Sequence, residues 1–211
     1  AESHVDNSIL NSEPFIKTNI LGTYSVLKSF HEYQLKLNSK AILLNISTDE
    51  VFGSITRGKF RENNRYLPNS PYSASKASAD HLARAWNKTF KTRVITTNCS
   101  NNFGPYQNKE KLIPKIINNI IKDKPVPVYG NGLNQRDWIY VKDHAEILYK
   151  LSKKGKIGET YNIGTKNVVS NIKIINDILK IYNQKFKKKK KLKEVIEYVE
   201  DRKGHDFRYA I

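Results

Sequence analysis

The stretch Ala41-Ile42-Leu43-Leu44-Asn45-Ile46-Ser47-Thr48-Asp49-Glu50, "AILLNISTDE", decides the fold. Its first seven residues are a continuous, largely apolar run of strand length, as a parallel strand buried on both faces requires. The run then stops on two hydroxyls and two adjacent carboxylates. Upstream, Pro14 falls in the first turn of a helix predicted from Ser12, its cap, to about Leu37, with Ile16, Ile20, Leu27 and Phe30 on one stripe. Downstream, after a loop to about Ser70, Pro71 opens "YSASKASADHLARAWNKTF", helical in composition to about Phe90, and "RVITTN" (93–98) is β-branched and strand-like. Helix, strand, helix, strand in that order argues for a parallel α/β sheet.

Beyond "NCSNNFGPYQ", expected to be a loop, the elements shorten. A helix is predicted near 111–122, strands at 126–129 and 136–141, and helices at about 142–153 and 171–183. The expected architecture is α/β, a Rossmann-like doubly wound parallel sheet with a smaller mixed α/β lobe. Residues 1–107 would form the sheet domain and 108–211 mainly the lobe, with about 136–165 interleaved as the last sheet elements.

The bulk numbers narrow the function. In 211 residues, 38% hydrophobic content can bury one sizeable core, or a main domain with a small satellite. A single cysteine, Cys99, excludes an internal disulfide, no segment reaches membrane-spanning length, and a cytoplasmic location is expected. No metal-ligand spacing is present. The formal charge of +17 raises nucleic acid as a partner, but the one dense cluster, Lys185 to Lys193, reads as a solvated loop or helix face. A basic nucleic-acid-binding module would also leave the strand-end residues unexplained.

Ligands of open α/β sheets sit outside the carboxyl ends of the strands, where both "STDE" and "NCSNN" fall. Taken alone, Thr48, Asp49 and Glu50 also suit a polar turn. Tyr72 and Lys76 change that balance. Spaced i, i+4, they share a helix face, so the ammonium is expected near the phenol, favouring its ionised form for base catalysis.

A strand-end Thr followed by Tyr-x-x-x-Lys resembles the short-chain dehydrogenase/reductase superfamily. "AESHVD" (1–6), "NISTDEVFG" (45–53), "SPYSASKASADHLARAW" (70–86), "TNCSNNFGPYQNKEKLIP" (97–114), "PVYGNGLNQRDWIYVKDHA" (127–145), "GETYNIG" (158–164) and "DRKGHDFRYAI" (201–211) narrow the likeness to nucleotide-sugar 4,6-dehydratases of its extended branch. The resemblance implies NAD as cofactor and dTDP-glucose as substrate, with UDP-glucose or an epimerase reaction as alternatives. It further implies that Thr48 orients the sugar and Tyr72 takes the C4 hydroxyl proton as hydride passes to NAD. Glu50 would then remove the C5 proton and Asp49 protonate the departing C6 hydroxyl, so Asp49 must start protonated and Glu50 ionised.

By the same likeness Ala1, Glu2, Ser3, Thr18, Tyr72, Lys76 and Asn102 would contact the cofactor. His4, Thr48, Asn101, Lys111, Leu112, Pro127, Val128, Tyr129, Arg136, Asn171, Arg202 and His205 would contact the substrate, with Arg136 at the diphosphate. A homodimer through the helices at 13–37 and 71–90 is implied as well. Phe52 and Phe103 stand where the family more usually has tyrosine. With no methionine and an opening that reads as a strand-to-helix junction, the chain is expected to be an N-terminally truncated piece lacking the glycine-rich turn for the NAD pyrophosphate, nearly inactive alone.

Overall fold

The computed structural model describes all 211 residues. Strand β1 (Leu43–Thr48) pairs in parallel with β2 (Val94–Cys99), Leu43 opposite Val94 and Thr48 opposite Cys99. Helix α4 (Pro71–Phe90) is the crossover between them and packs on both. Its start is well specified. The Ser70 hydroxyl accepts from the Ser73 amide and the Ser73 hydroxyl from the Ser70 amide, each at 3.1 Å, with Pro71 at the first helical position. Such a cap contributes about 1 kcal/mol and fixes where Tyr72 and Lys76 begin.

Ahead of β1, α1 (Val5–Leu10) precedes a long helical segment: α2 (Glu13–Phe15), a π-helical turn over Ile16–Leu21, then α3 (Gly22–Leu37). One helix was expected here, and its extent is as predicted, but two details differ. Ser12 makes no side-chain cap and serves through its carbonyl, which accepts from the Phe15 and Ile16 amides. The π turn shifts the buried face, so Phe15 and Asn19 are buried and Ile16 is exposed. Asn19 is a structural pivot: its side-chain amide accepts from the Glu2 amide at 2.9 Å and donates to the Glu2 carbonyl at 3.0 Å and to Ser75 Oγ at 2.9 Å.

After β2 the chain leaves the sheet and returns as β6 (Thr160–Ile163), which pairs in parallel on the far side of β2, giving the order β1-β2-β6. The excursion holds a second sheet: β5 (Gln135–Tyr140) lies between β3 (Asn101–Phe103), parallel to it, and β7 (Val168–Ser170), antiparallel. Within the segment expected to be only a loop, Asn101–Phe103 is thus a strand, because Trp138, Ile139 and Tyr140 supply its partner from far along the chain. Helix α6 (Val141–Lys154) follows β5 directly.

The lobe is a third small unit. Strand β4 (Val126–Tyr129) pairs in parallel with β8 (Ile196–Val199), and α5 (Leu112–Ile121), α7 (Asn171–Phe186) and α8 (Leu192–Val195) surround them. Ile116, Ile120, Val126, Val128, Ile175, Leu179 and Val195 form its own core. Two smaller clusters support the sheet, one of Leu27, Ala83 and Val94, the other of Val51, Phe52 and Ala77 beneath the strand end. Phe52 stacks on Phe60 and meets Tyr66 edge-on, so its missing hydroxyl leaves no polar group to satisfy in that packing. The lysine run ends α7 and enters α8. Lys190 is recruited from it, donating to the Ile120 carbonyl at 2.9 Å and pairing with Asp123, while Lys187, Lys188 and Lys189 are exposed. No helix is long and apolar enough to cross a membrane.

Candidate active site

At the end of β1 the chain turns through a single 3-10 turn, Asp49–Phe52. Thr48 caps it, its hydroxyl accepting from the Glu50 amide at 3.2 Å. Gly53 closes the turn at φ +77°, where a Cβ would collide with the Leu67 carbonyl oxygen. This turn sends two successive carboxylates into different surroundings.

Asp49 is buried, only 1% exposed, and its Oδ2 has no hydrogen-bond partner. Burial, followed by the charge of Glu50, holds its carboxyl well above the usual carboxylate range, against the pull of Arg136. Glu50 lines a cleft instead. Burial raises its carboxyl too, but three cations, Arg136, Arg202 and Lys111, act to lower it. Both carboxyls are thus raised, and they differ in their surroundings: Asp49 is enclosed, and Glu50 faces three cations.

Tyr72 and Lys76 are both buried on α4. The expectation that Lys76 would lower the phenol is not met: burial, then Glu50, push Tyr72 well above its ordinary value. The ammonium is turned to the β1 backbone, donating to the Ile46 carbonyl at 2.7 Å, and is itself lowered by burial while Asp80 raises it. The Thr48 hydroxyl beside Tyr72 is the group that favours phenolate.

The other predicted residues divide between two regions. The cleft between the sheet and the lobe gathers Ser3, His4, Glu50, Asn101, Lys111, Leu112, Pro127, Tyr129, Arg136, Asn171, Arg202 and His205. Val128 is not among them, because its side chain belongs to the lobe core. Asn102 lies behind the strand end, donating to the Ser100 carbonyl and receiving a hydrogen bond from His144 Nδ1 at 2.8 Å. Ala1, Glu2 and Thr18 are exposed, with Glu2 tied to Asn19 and Thr18 on the π turn.

Arg136 is not a surface ion-pair residue. It is 7% exposed, donates through Nη1 to the Gln135 and Phe207 carbonyls and through Nη2 to the Asp206 carbonyl, and stands 4.2 Å over the Tyr209 ring. That cage fixes its plane. His4 caps α1, Nδ1 accepting from the Asn7 amide at 3.3 Å, and Lys111 Nζ donates to the Ser3 carbonyl at 2.6 Å. Two buried polar atoms on cleft residues, Asn171 Oδ1 and Trp138 Nε1, lack partners, as groups reserved for a ligand do. Sequence reasoning missed Asp6, Trp138 and Tyr209, which line the cleft. All three sat inside quoted motifs, but nothing local marked them as facing a ligand.

A strand-end threonine beside a Tyr-x-x-x-Lys helix, on a parallel sheet, is the arrangement of the short-chain dehydrogenase/reductase class. The comparisons agree at the level of class and narrow it. The chain belongs to the GDP-mannose 4,6 dehydratase family, whose model matches residues 1–211. It is 47% identical over 216 residues to a probable dTDP-glucose 4,6-dehydratase of Sinorhizobium fredii, and 48% identical over 225 residues to dTDP-glucose 4,6-dehydratase 1 of Escherichia coli K12. Each match covers all of this chain and 62% of the relative, so the chain spans less than two thirds of their length. Among solved structures, DesIV, a dTDP-glucose 4,6-dehydratase from Streptomyces venezuelae solved with NAD bound, superposes with a TM-score of 0.88 at 37% identity, covering 100% of this chain and 62% of that one. The dTDP-glucose 4,6-dehydratase of Bacillus anthracis in complex with NAD gives 0.84 at 44% identity, over 95% and 60%.

Proposed function

We propose that the intact protein is an NAD-dependent dTDP-glucose 4,6-dehydratase, converting dTDP-glucose to the 4-keto-6-deoxy sugar nucleotide. The observation that carries this reading is the asymmetry of Asp49 and Glu50 beside Tyr72, an acid kept dry and a base kept among cations. An epimerase has no use for such a pair, since it eliminates no water.

The residues present fit the cofactor. Lys76 spends one donor on Ile46 and has two more for ribose hydroxyls, and the buried Ser100 hydroxyl has no partner. When bound, NAD supplies a hydride acceptor that returns the same hydride later. Ala1, Glu2, Ser3, Thr18, Tyr72, Lys76 and Asn102 are the proposed contacts, Asn102 through a side chain already oriented by His144.

Thr48 orients the C4 hydroxyl, and Tyr72 takes its proton. The phenol rests well above neutrality, so it starts protonated and needs a positive charge brought close to act as base. With C4 oxidised, the C5 hydrogen is acidic and Glu50 removes it. Asp49 gives its proton to the leaving C6 hydroxyl. Separate acid and base allow water to depart without either charge developing unaided.

Across the cleft, Arg136 is proposed for the diphosphate. Lys111, Leu112, Pro127 and Tyr129 would form the nucleotide wall, Asn171, Arg202 and His205 its far side, and His4 and Asn101 would contact the substrate. We assign residues 1–107 to the sheet domain and 108–211 mainly to the lobe, a division that the separate lobe core supports. A homodimer through helices 13–37 and 71–90 is supported by the exposed Leu21, Tyr24, Val26 and Phe90. The proposed site is cytoplasmic.

The test is to supply the intact protein with dTDP-glucose and UDP-glucose and follow the enone absorbance of a 4-keto-6-deoxy product in base. Turnover of dTDP-glucose is expected. A C4-epimerised product with no enone would replace this reading by an epimerase.

A further inference from the structure

Asp6 lies in the first turn of α1, and its carboxylate reaches a turn 196 residues away. Its Oδ1 pairs with Arg202 Nε and its Oδ2 accepts from Arg202 Nη2 at 3.3 Å. The same Oδ2 accepts from the Tyr129 hydroxyl at 3.3 Å, and the Arg202 guanidinium stands 5.3 Å over the Tyr129 ring. His205 meets the other parts of this group, edge-on to Tyr129 and paired with Asp201.

A pair this exposed, with side chains 31% and 22% accessible, contributes little to stability. Its geometry is another matter. Asp6 lies along one edge of the guanidinium, ion-paired with Nε, which makes no aligned hydrogen bond, and accepting from Nη2, while Tyr129 covers a face. Nη1 has no protein partner, so a planar fork held on one edge and one face keeps the remaining donors for a ligand oxygen. Asp6, Tyr129 and Arg202 all line the cleft.

We propose that Asp6 is a positioning residue for nucleoside diphosphate binding: it sets the orientation of Arg202, and through Oδ2 that of Tyr129, rather than touching substrate. The inference rests on the dehydratase reading for the identity of the ligand. It predicts that anion recognition here depends on a carboxylate, although a bare carboxylate in a phosphate-binding cleft would repel.

The experiment is a double-mutant cycle on the intact protein with Asp6→Asn, Arg202→Gln and both, titrated with dTDP, UDP and inorganic pyrophosphate. Asparagine can still accept from Tyr129 through its one oxygen, but the negative charge and the second acceptor facing Arg202 are lost. Asp6→Asn is expected to raise the Kd for dTDP about tenfold, which is about 1.4 kcal/mol, with no further loss in the Arg202→Gln background. The KM for dTDP-glucose should rise with kcat unchanged, and the melting temperature should stay near that of the parent, neither of which a general structural defect would give. Unchanged or tighter dTDP binding in Asp6→Asn would overturn the proposal, making Asp6 a competitor for Arg202. Equal losses with and without Arg202 would also overturn it. Parent protein that binds none of the three probes would refute the dehydratase reading and this inference together, whereas parent binding with no effect of Asp6 refutes this inference alone.

Discussion

Around Thr48, Asp49 and Tyr72 the site is dry and hydrogen-bond partners are few, whereas around Arg136, Arg202 and His205 each polar group is held by carbonyls, a carboxylate or an aromatic ring. The first region sits on a strand end and a helix start of the main sheet, the second on the lobe and the turns that join it. Their difference separates two tasks. Proton transfer needs groups whose charge is unsettled by burial, and binding needs groups whose charge and direction are settled before a ligand arrives. Glu50 stands where the two meet.

Substitutions at the dry end should therefore change rate and leave binding. Tyr72→Phe is expected to lower kcat about 10³-fold, within the usual range for a lost general base, with dTDP affinity unchanged in titration. Equal losses of kcat and dTDP affinity would erase the distinction between the two regions. Glu50→Gln is expected to cost about 10²-fold in kcat and to abolish solvent deuterium incorporation at C5, while still permitting C4 oxidation, visible as transient NADH absorbance. Deuterium appearing at C5 at the parent rate would move the base elsewhere.

The dry end also predicts a stability effect with a definite sign. The folded Asp49 carboxyl sits above its unfolded value, so its contribution is complete below the usual carboxylate range and is lost as pH rises through the raised value. Asp49→Asn cannot ionise, so its denaturant melts should lose less stability than the parent over that rise. Parallel losses would mean that Asp49 is already charged and cannot be the acid. At the other extreme, Lys187, Lys188 and Lys189 are exposed and belong to neither region. Their joint replacement by Gln should leave dTDP binding and melting within error, and salt-sensitive oligonucleotide binding lost with them would revive the nucleic-acid reading.

The helix starting at Pro71 and the strand at 43–48 were legible because their signals are local: a proline at the first turn and an unbroken apolar run. Strand β3 was not, since Asn101, Asn102 and Phe103 have no strand-like pattern and become a strand only through β5. Strand β8, a short Ile-Glu-Tyr-Val stretch behind the lysine run, has its partner β4 some 70 residues back. At the site, the strand-end placement of Thr48, Asp49 and Glu50 could be read from sequence, and so could the shared helix face of Tyr72 and Lys76. Which acceptor the Lys76 ammonium would choose could not be read, because a helix repeat fixes the side of a residue and not its partner. Asp6 closes the quoted "AESHVD", but a single acid in a first helical turn is ordinary, and only the return of residue 202 gives it a function.

The π turn at Ile16–Leu21 is, in effect, a change of phase inside one rod. The wider turn inserts an extra residue relative to a regular helix, so everything from Gly22 to Leu37 is rotated by about 100° against what precedes it. Asn19 can therefore point at Glu2 and Ser75 while Leu27 still points at Ala83 and Val94. Deleting any one residue of 16–21 would bring the two halves back into step and force a choice between those contacts. The length of that short segment, more than its composition, keeps the opening strand of contacts and the helix-packing face compatible.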